Sequence, residues 1–121
     1  MTKLALTIAA VLALLLSVAP ARAEEDDLGQ DVYNLKCASC HGRNGKGKTD
    51  IGVKLKAKDL TQADVWKDLT DAAVENVIAK GTADKVMPAY KDKLSTEEMA
   101  ALVKYLHSFQ PKKYLDSVQP K

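Results

Sequence analysis

The feature that most constrains this chain is the five-residue string Cys37-Ala38-Ser39-Cys40-His41. Cysteines at positions i and i+3 lie on one side of a helical turn, so both thiols can reach one planar ligand. The C-x-x-C-H string is the attachment signature of c-type haem. The spacing therefore predicts that Cys37 and Cys40 form thioether links to one haem and that His41 binds its iron.

Two other uses of the cysteines stay open at this point. C-x-x-C is also a redox dithiol motif, but thioredoxin-like proteins place it between a strand and a helix. Here a helical segment precedes the motif and a glycine-rich loop follows it. A structural zinc site normally needs four ligands and would require both His41 and His107, which are far apart in sequence. Haem is the favoured interpretation, because thioether links survive in the oxidising compartments that turn free cysteine pairs into disulfides.

Residues 1–23 are predicted to be a cleaved signal peptide. Lys3 gives the positive n-region, Leu4 to Leu16 is almost entirely apolar, and Ala21-Arg22-Ala23 fits the cleavage pattern. An uncleaved anchor is disfavoured, because a membrane-spanning helix needs roughly 20 apolar residues. We therefore predict an exported, monomeric domain over residues 24–121 with no stable membrane insertion. The expected compartment is a bacterial periplasm, with a thylakoid lumen as the alternative.

The charges of the chain are unevenly distributed. The precursor has 18 basic and 16 acidic residues, and removal of Lys3 and Arg22 leaves equal numbers. A neutral chain is not expected to bind nucleic acid, since such proteins carry a basic excess. Residues 24–31 carry five acids and no base. The basic residues near the cysteines are either a solvated surface or a docking site for an acidic redox partner. The candidate docking residues are Lys46, Lys48, Lys54, Lys56, Lys85 and Lys91.

Apolar periodicity predicts helices and no convincing strand. The first helix is expected over residues 26–38, with an apolar stripe that includes Leu28, Val32 and Leu35. Residues 42–58 are rich in glycine and lysine and are predicted to form an extended loop, although aliphatic residues alternate with lysines there.

The later helices have clearer boundaries. A short helix is expected around residues 62–69, and residues 71–80 form a helix with Thr70 as N-cap and Gly81 as its stop. The last helix begins with the capping box of Ser95 and Glu98 and precedes Pro111. Residues 112–121 are expected to be a loosely held tail.

The second axial ligand of the iron has several candidates. Met87 lies in a loop just before Pro88, which restrains its backbone. Met99 belongs to the apolar stripe of the last helix and is predicted to pack in the core. Met87 is the predicted ligand, His107 is the alternative, and an open coordination position is the third option. An open position would indicate an enzyme or a gas sensor.

A family resemblance appears in the second half of the chain. The run Val86-Met87-Pro88-Ala89-Tyr90, then Lys93 to Glu98 and an apolar helix ending in Tyr105-Leu106, resembles class I cytochromes c. It is most similar to their short, soluble, mono-haem bacterial and photosynthetic members, and it covers about residues 26–109. The resemblance implies an all-α fold of three to five helices around one covalent haem c, with the terminal helices packed together. It also implies that Gly29 and Tyr33, which stand eight and four residues before Cys37, meet the Tyr105-Leu106 region.

The resemblance further implies a soluble one-electron carrier, not an enzyme, whose haem cycles between Fe(III) and Fe(II). It would exchange electrons transiently with membrane-bound or soluble redox partners. The chain departs from the family in lacking a proline between His41 and Met87, so the group that orients His41 is not identified. Trp66 either approaches a haem propionate or packs in the core. The expected apolar pocket consists of Leu35, Leu55, Val77, Ile78, Leu102 and Leu106.

Overall fold

The computed structural model describes residues 21–118, and this part of the chain is helical with no β-strand. In chain order the elements are α1 (Ala21–Lys36), α2 (Ala38–His41), α3 (Asp50–Leu55), α4 (Ala63–Trp66), α5 (Asp71–Lys80), α6 (Thr96–Leu106), a 3-10 turn (His107–Phe109) and α7 (Lys112–Val118). Five of these helices have six or more residues, which agrees with the predicted all-α fold. Residues 1–20, most of the predicted signal peptide, lie outside the described residues.

Helices α1 and α6 cross at a glycine. A Cβ atom on Gly29 would overlap the carbonyl oxygen of Ala101 and lie 2.9 Å from Cβ of Tyr105. Only glycine therefore permits this close approach of the two backbones. One turn later, the fully buried Tyr33 packs its ring against Tyr105 and Phe109, with ring centroids 5.4 and 4.9 Å apart. These contacts confirm the predicted packing of the terminal helices.

The boundaries of α5 and α6 follow from local capping. The Thr70 hydroxyl accepts a hydrogen bond from the Ala73 N–H at 3.1 Å, and Gly81 follows the last residue of α5. At the start of α6, the Glu98 N–H donates to the Ser95 hydroxyl at 3.0 Å. The Ser95 N–H in turn donates to the Glu98 carboxylate at 2.8 Å. Each cap satisfies N–H groups that have no partner inside the helix, and both predictions are confirmed.

The extended loop predicted over residues 42–58 is wrong, because Asp50–Leu55 form helix α3. Its N-cap is Thr49, whose hydroxyl accepts from the Gly52 N–H at 2.9 Å. It ends at Lys56, which has the left-handed φ of 54°. The buried residue of α3 is Gly52, and the aliphatic side chains of the helix are exposed. Because α3 buries no apolar stripe, its sequence carries no helical periodicity.

The C-terminal segment also differs from the loose tail predicted over residues 112–121. Helix α7 begins directly after Pro111, whose carbonyl accepts from the Tyr114 N–H at 2.8 Å. The Tyr114 hydroxyl donates to the Trp66 carbonyl at 2.9 Å. This long-range bond anchors α7 on α4, which the sequence pattern of the tail does not indicate. Residues 119–121 lie outside the described residues.

The core lies between α1, α4, α5 and α6. Its buried residues are Val32, Tyr33, Trp66, Val74, Ile78, Leu102, Val103 and Leu106. Leu35 does not join them and is 81% exposed. It follows Tyr33 by two residues and thus points about 200° away from it around the helix. Within residues 21–118, no helix is both long and apolar enough to cross a membrane.

Candidate functional site

The cysteine motif forms a helical turn directly after α1. The Cys37 N–H donates to the Tyr33 carbonyl at 2.9 Å, and the His41 N–H donates to the Cys37 carbonyl at 2.9 Å. Both thiols are half-buried and are not joined in a disulfide. Burial, and secondarily the neighbouring Cys40, raise the pKa of the Cys37 thiol to about 11. A reactive redox dithiol needs a thiol with a lowered pKa, so this environment disfavours the dithiol alternative.

The ring of His41 is oriented by a backbone carbonyl. Its Nδ1–H donates to the carbonyl oxygen of Lys58 at 3.0 Å. Because a carbonyl only accepts, the hydrogen is on Nδ1, and Nε2 of the neutral ring is free to bind a metal. Lys58 thus supplies the second hydrogen-bond partner that metal-binding histidines usually have. The sequence gives no signal for it, since any residue type has a carbonyl.

The glycine-rich loop brings this carbonyl to His41. The Gly47 N–H donates to the His41 carbonyl at 2.7 Å. Gly47 has a φ of +66°, and a Cβ there would lie 2.7 Å from the Ala57 carbonyl and 3.2 Å from the Lys58 carbonyl. A side chain at position 47 would therefore push residues 57–58 away. The absence of a side chain at Gly47 indirectly positions the His41 ring.

A cavity of about 470 Å³ opens beside His41. Cys37, His41 and Met87 line this cavity, whereas the half-buried Cys40 is not among the lining residues. The apolar lining includes Tyr33, Trp66, Val77, Ile78, Leu102 and Leu106. The last four were predicted for the pocket and are confirmed. Leu35 and Leu55 are not among the lining residues, so their assignment to the pocket is wrong. Leu55 is 43% exposed because α3 presents its aliphatic side chains to solvent.

Met87 lies in the loop of residues 82–94, the Met87 loop, whose first six residues are closed by hydrogen bonds between Thr82 and Met87. The Thr82 N–H donates to the Met87 carbonyl at 3.1 Å, and the Met87 N–H donates to the Thr82 hydroxyl at 3.1 Å. The same hydroxyl donates to the Asp84 carboxylate at 2.6 Å. This bond is the largest cause of a lowered pKa of Asp84. The closed loop fixes the backbone of Met87 where its side chain enters the cavity.

The other candidate ligands lie elsewhere. His107 Nε2 is 2.8 Å from an Asp71 carboxylate oxygen, and its ring stacks on Trp66 with centroids 6.0 Å apart. Met99 packs against the core, and neither His107 nor Met99 is among the residues that line the cavity. Trp66 is 3% exposed and already donates its indole N–H to the Leu60 carbonyl at 2.7 Å. These contacts favour the core-packing interpretation of Trp66 over the propionate contact.

The candidate docking lysines are all exposed. They lie on two segments: Lys46, Lys48, Lys54 and Lys56 between α2 and α4, and Lys85 and Lys91 around the Met87 loop. Two acidic residues of α1 form salt bridges instead: the carboxylates of Glu25 and Asp26 lie 3.4 and 2.9 Å from the Lys104 ammonium of α6. Part of the acidic cluster is therefore paired within the fold, while the basic segments face solvent.

Comparison with known proteins assigns the chain to a family. A sequence profile described as cytochrome C oxidase, cbb3-type, subunit III matches residues 24–106. Cytochrome c6 of Microcystis aeruginosa is 35% identical over 78 residues, covering 64% of this chain and 89% of that protein. The chain belongs to the class I cytochrome c family. The cbb3-type oxidase subunit FixP of Azorhizobium caulinodans is 36% identical over 81 residues. This match covers 66% of our cytochrome and 26% of FixP, so the chain spans about a quarter of the length of such relatives.

A solved structure supports the same assignment. The protein titled KustC0563 c-type cytochrome superposes on this cytochrome with a TM-score of 0.62 and 33% sequence identity. The superposition covers 68% of this chain and 96% of the other. The predicted family and all-α fold are confirmed by these matches.

Family membership means that the cofactor is a covalently bound haem c with iron, as predicted. The residues of this cytochrome fit that group. The cavity of about 470 Å³ lies in the volume range of cofactor sites and has a mainly apolar lining. Cys37 and Cys40 offer two thiols on one helical turn, and the free Nε2 of His41 offers a metal ligand. The thioether of Met87 adds a second, soft donor from another loop.

Proposed function

We propose that this cytochrome is a one-electron carrier in which Cys37 and Cys40 hold the haem and His41 and Met87 bind its iron. The observation that carries the proposal is that His41 and Met87, each held by its own hydrogen-bonded loop, line one apolar cavity. When bound, the haem supplies a one-electron couple between Fe(III) and Fe(II). Two protein ligands leave no coordination position for a substrate, so an electron carrier fits this site and a classical enzyme does not.

The side chains around the cavity support this role. Val74, Ile78 and Leu102 are buried and exclude water from the inner wall. Low polarity around a redox centre disfavours its more highly charged state, and the thioether of Met87 acts in the same direction. The Lys58 carbonyl keeps His41 in one tautomer and one orientation. A fixed ligand frame needs little rearrangement when an electron arrives or leaves.

The absorption spectrum of the exported holoprotein tests the proposed ligands. The oxidised protein is expected to show a weak far-red band, which Met87→Ala abolishes and Met99→Leu leaves unchanged. Met99→Leu is a matched control, because Met99 packs against the core away from the cavity. The reduced spectrum is expected to resist carbon monoxide. A wild-type protein without the far-red band, or with a rapid shift in carbon monoxide, would indicate an open iron site and contradict the carrier function.

We also propose the boundaries and the setting of the domain. Cleavage after Ala23 would leave residues 24–121, and the pairing of Glu25 and Asp26 with Lys104 supports a domain that includes residues close to this point. We propose export to the periplasm, where the domain acts as a monomer. Mass spectrometry of the periplasmic fraction tests cleavage. A chain retained in the membrane fraction with an intact N terminus would contradict it.

We propose that α3 and its flanking residues form the docking surface for an acidic redox partner. Ile51, Val53 and Leu55 are 49%, 61% and 43% exposed. They are interleaved with Lys54 and flanked by Lys48 and Lys56, which are also exposed. An apolar centre with a charged rim is the anatomy of a transient interface. The rim charges mainly steer association, so their effect is expected on the association rate.

Electron exchange with hexacyanoferrate(III), an anionic oxidant, tests the charge at this surface. The oxidation rate of the reduced protein is expected to fall as ionic strength rises. The double variant Lys54→Glu/Lys56→Glu should be slower and lose part of that salt dependence. Lys112→Glu/Lys113→Glu makes the same charge change on exposed positions of α7 and serves as the control. Equal losses in the two double variants would show that only net charge matters and would refute α3 as the docking surface.

A further inference from the structure

The loop that carries Met87 is attached to the cysteine segment by one tyrosine hydroxyl. Tyr90 follows Met87 by three residues, and its hydroxyl donates to the carbonyl oxygen of Lys36 at 3.0 Å. Lys36 is the last residue of α1 and directly precedes Cys37. Among the described residues, this is the only hydrogen bond between residues 82–94 and residues 28–60. It therefore joins the two segments from which the haem and its iron are held.

The Lys36 carbonyl needs this donor because α1 ends there. In a continued helix, the Cys40 N–H would donate to the Lys36 carbonyl. That N–H instead donates to the Cys37 carbonyl at 3.2 Å. The break after Lys36 thus leaves one of the unpaired carbonyls that every helix end has. The Tyr90 hydroxyl, 54 residues later in the chain, donates the hydrogen bond that this carbonyl lacks within the helix.

The backbone hydrogen bonds that leave the Met87 loop lead to α5. The Tyr90 N–H donates to the Ile78 carbonyl at 3.0 Å, and the Lys91 N–H donates to the Ala79 carbonyl at 3.1 Å. These bonds, and the ring closed by Thr82 and Met87, tie the loop to α5 by hydrogen bonds, while Met87, Tyr90 and Leu94 also pack on the apolar core. They do not fix its distance from the cysteine segment. Within residues 21–118, only the Tyr90 hydroxyl supplies a hydrogen bond between this loop and the cysteine segment.

We propose that Tyr90 is a positioning residue that holds the Met87 loop against the Cys37–His41 turn and so keeps Met87 on the iron. This proposal rests on the proposed function, because it requires Met87 to be an axial ligand. The hydroxyl bonds to the backbone carbonyl of Lys36, and Tyr90 is not among the residues that line the cavity. Its loss leaves the loop intact but free to move away from α1. The population of molecules in which Met87 has left the iron then rises.

The test measures how easily imidazole displaces Met87 in the oxidised holoprotein. Imidazole binds only when Met87 has moved away, so its apparent affinity reports the population of the open loop. Tyr90→Phe removes only the hydroxyl. A typical neutral hydrogen bond predicts an increase of roughly 2- to 10-fold in the apparent affinity, followed by loss of the far-red band.

Tyr114→Phe is the matched control, since the Tyr114 hydroxyl donates to the Trp66 carbonyl at 2.9 Å and lies outside the Met87 loop. Removing it deletes the same type of bond with no expected change in imidazole affinity. Equal affinities in Tyr90→Phe and wild type would overturn the proposal, as would equal increases in the two variants. A wild-type protein without the far-red band would instead refute Met87 as the ligand, so failure of the proposed function is recognised separately.

Discussion

Gly29→Ala is the sharpest test of how the two terminal helices meet. At an exposed helical position, replacing glycine with alanine stabilises a protein by about 1 kcal/mol. At Gly29 the new Cβ overlaps the Ala101 carbonyl, and no rotamer change moves a backbone atom out of the way. Overpacking of this kind costs up to about 3 kcal/mol. The net expectation is a loss of about 2 kcal/mol, which corresponds to a decrease in Tm of about 8–16 °C for a domain of this size.

The assay is thermal unfolding of the oxidised holoprotein, followed by far-ultraviolet circular dichroism. Gln30 is exposed and adjacent in α1, so a comparison of Gln30→Gly with Gln30→Ala measures the intrinsic preference of this helix for alanine. Alanine should raise Tm at position 30 and lower it at position 29. The difference between the two positions isolates the cost of separating α1 from α6. A Gly29→Ala protein as stable as wild type would show that the helices do not cross as closely as described.

Two further predictions concern single hydroxyl groups. Tyr33 donates its hydroxyl to the Gly42 carbonyl at 2.6 Å, and burial raises its pKa above the ordinary value of 10.0. Its contribution to stability should therefore be complete below pH ~10 and decline as the pH rises further. In urea unfolding, Tyr33→Phe should be about 1 kcal/mol less stable at neutral pH and lose stability less steeply above pH ~10, and parallel curves would contradict this. Thr49→Ala should lower the free energy of unfolding by about 0.5–2 kcal/mol through loss of the α3 cap and of the bond that the same hydroxyl donates to the Ser39 carbonyl, while Thr49→Ser retains both. Equal losses in the two Thr49 variants would argue against the cap.

The accuracy of the sequence predictions depended on how local the structural cause is. Helices α5 and α6 were predicted with their observed starts, because Thr70 and Ser95 bond to N–H groups three residues away. Helix α3 was missed although Thr49 caps it in the same way, because its apolar side chains face solvent and form no buried stripe. Leu35 was misplaced because an apolar residue near the edge of a stripe does not reveal which side of the helix is buried. The buried side of α1 is set by Tyr33, whose ring packs against Tyr105 of α6 and Phe109 of the 3-10 turn.

In the candidate site, the sequence likewise reveals the functional side chains but not the backbone groups that position them. Its cysteines, histidine and methionine are specific residue types at recognisable spacings, so the sequence identifies them. The group that orients the histidine is the carbonyl of Lys58, the group that we propose to position the methionine loop is the carbonyl of Lys36, and a carbonyl carries no sequence signature. The position of the Lys58 carbonyl depends on steric fit. Because Gly47 has no side chain, residues 57–58 can pack directly against its backbone. It follows that Gly47→Ala should disturb the orientation of the His41 ring, although Gly47 is bonded only to the backbone carbonyl of His41.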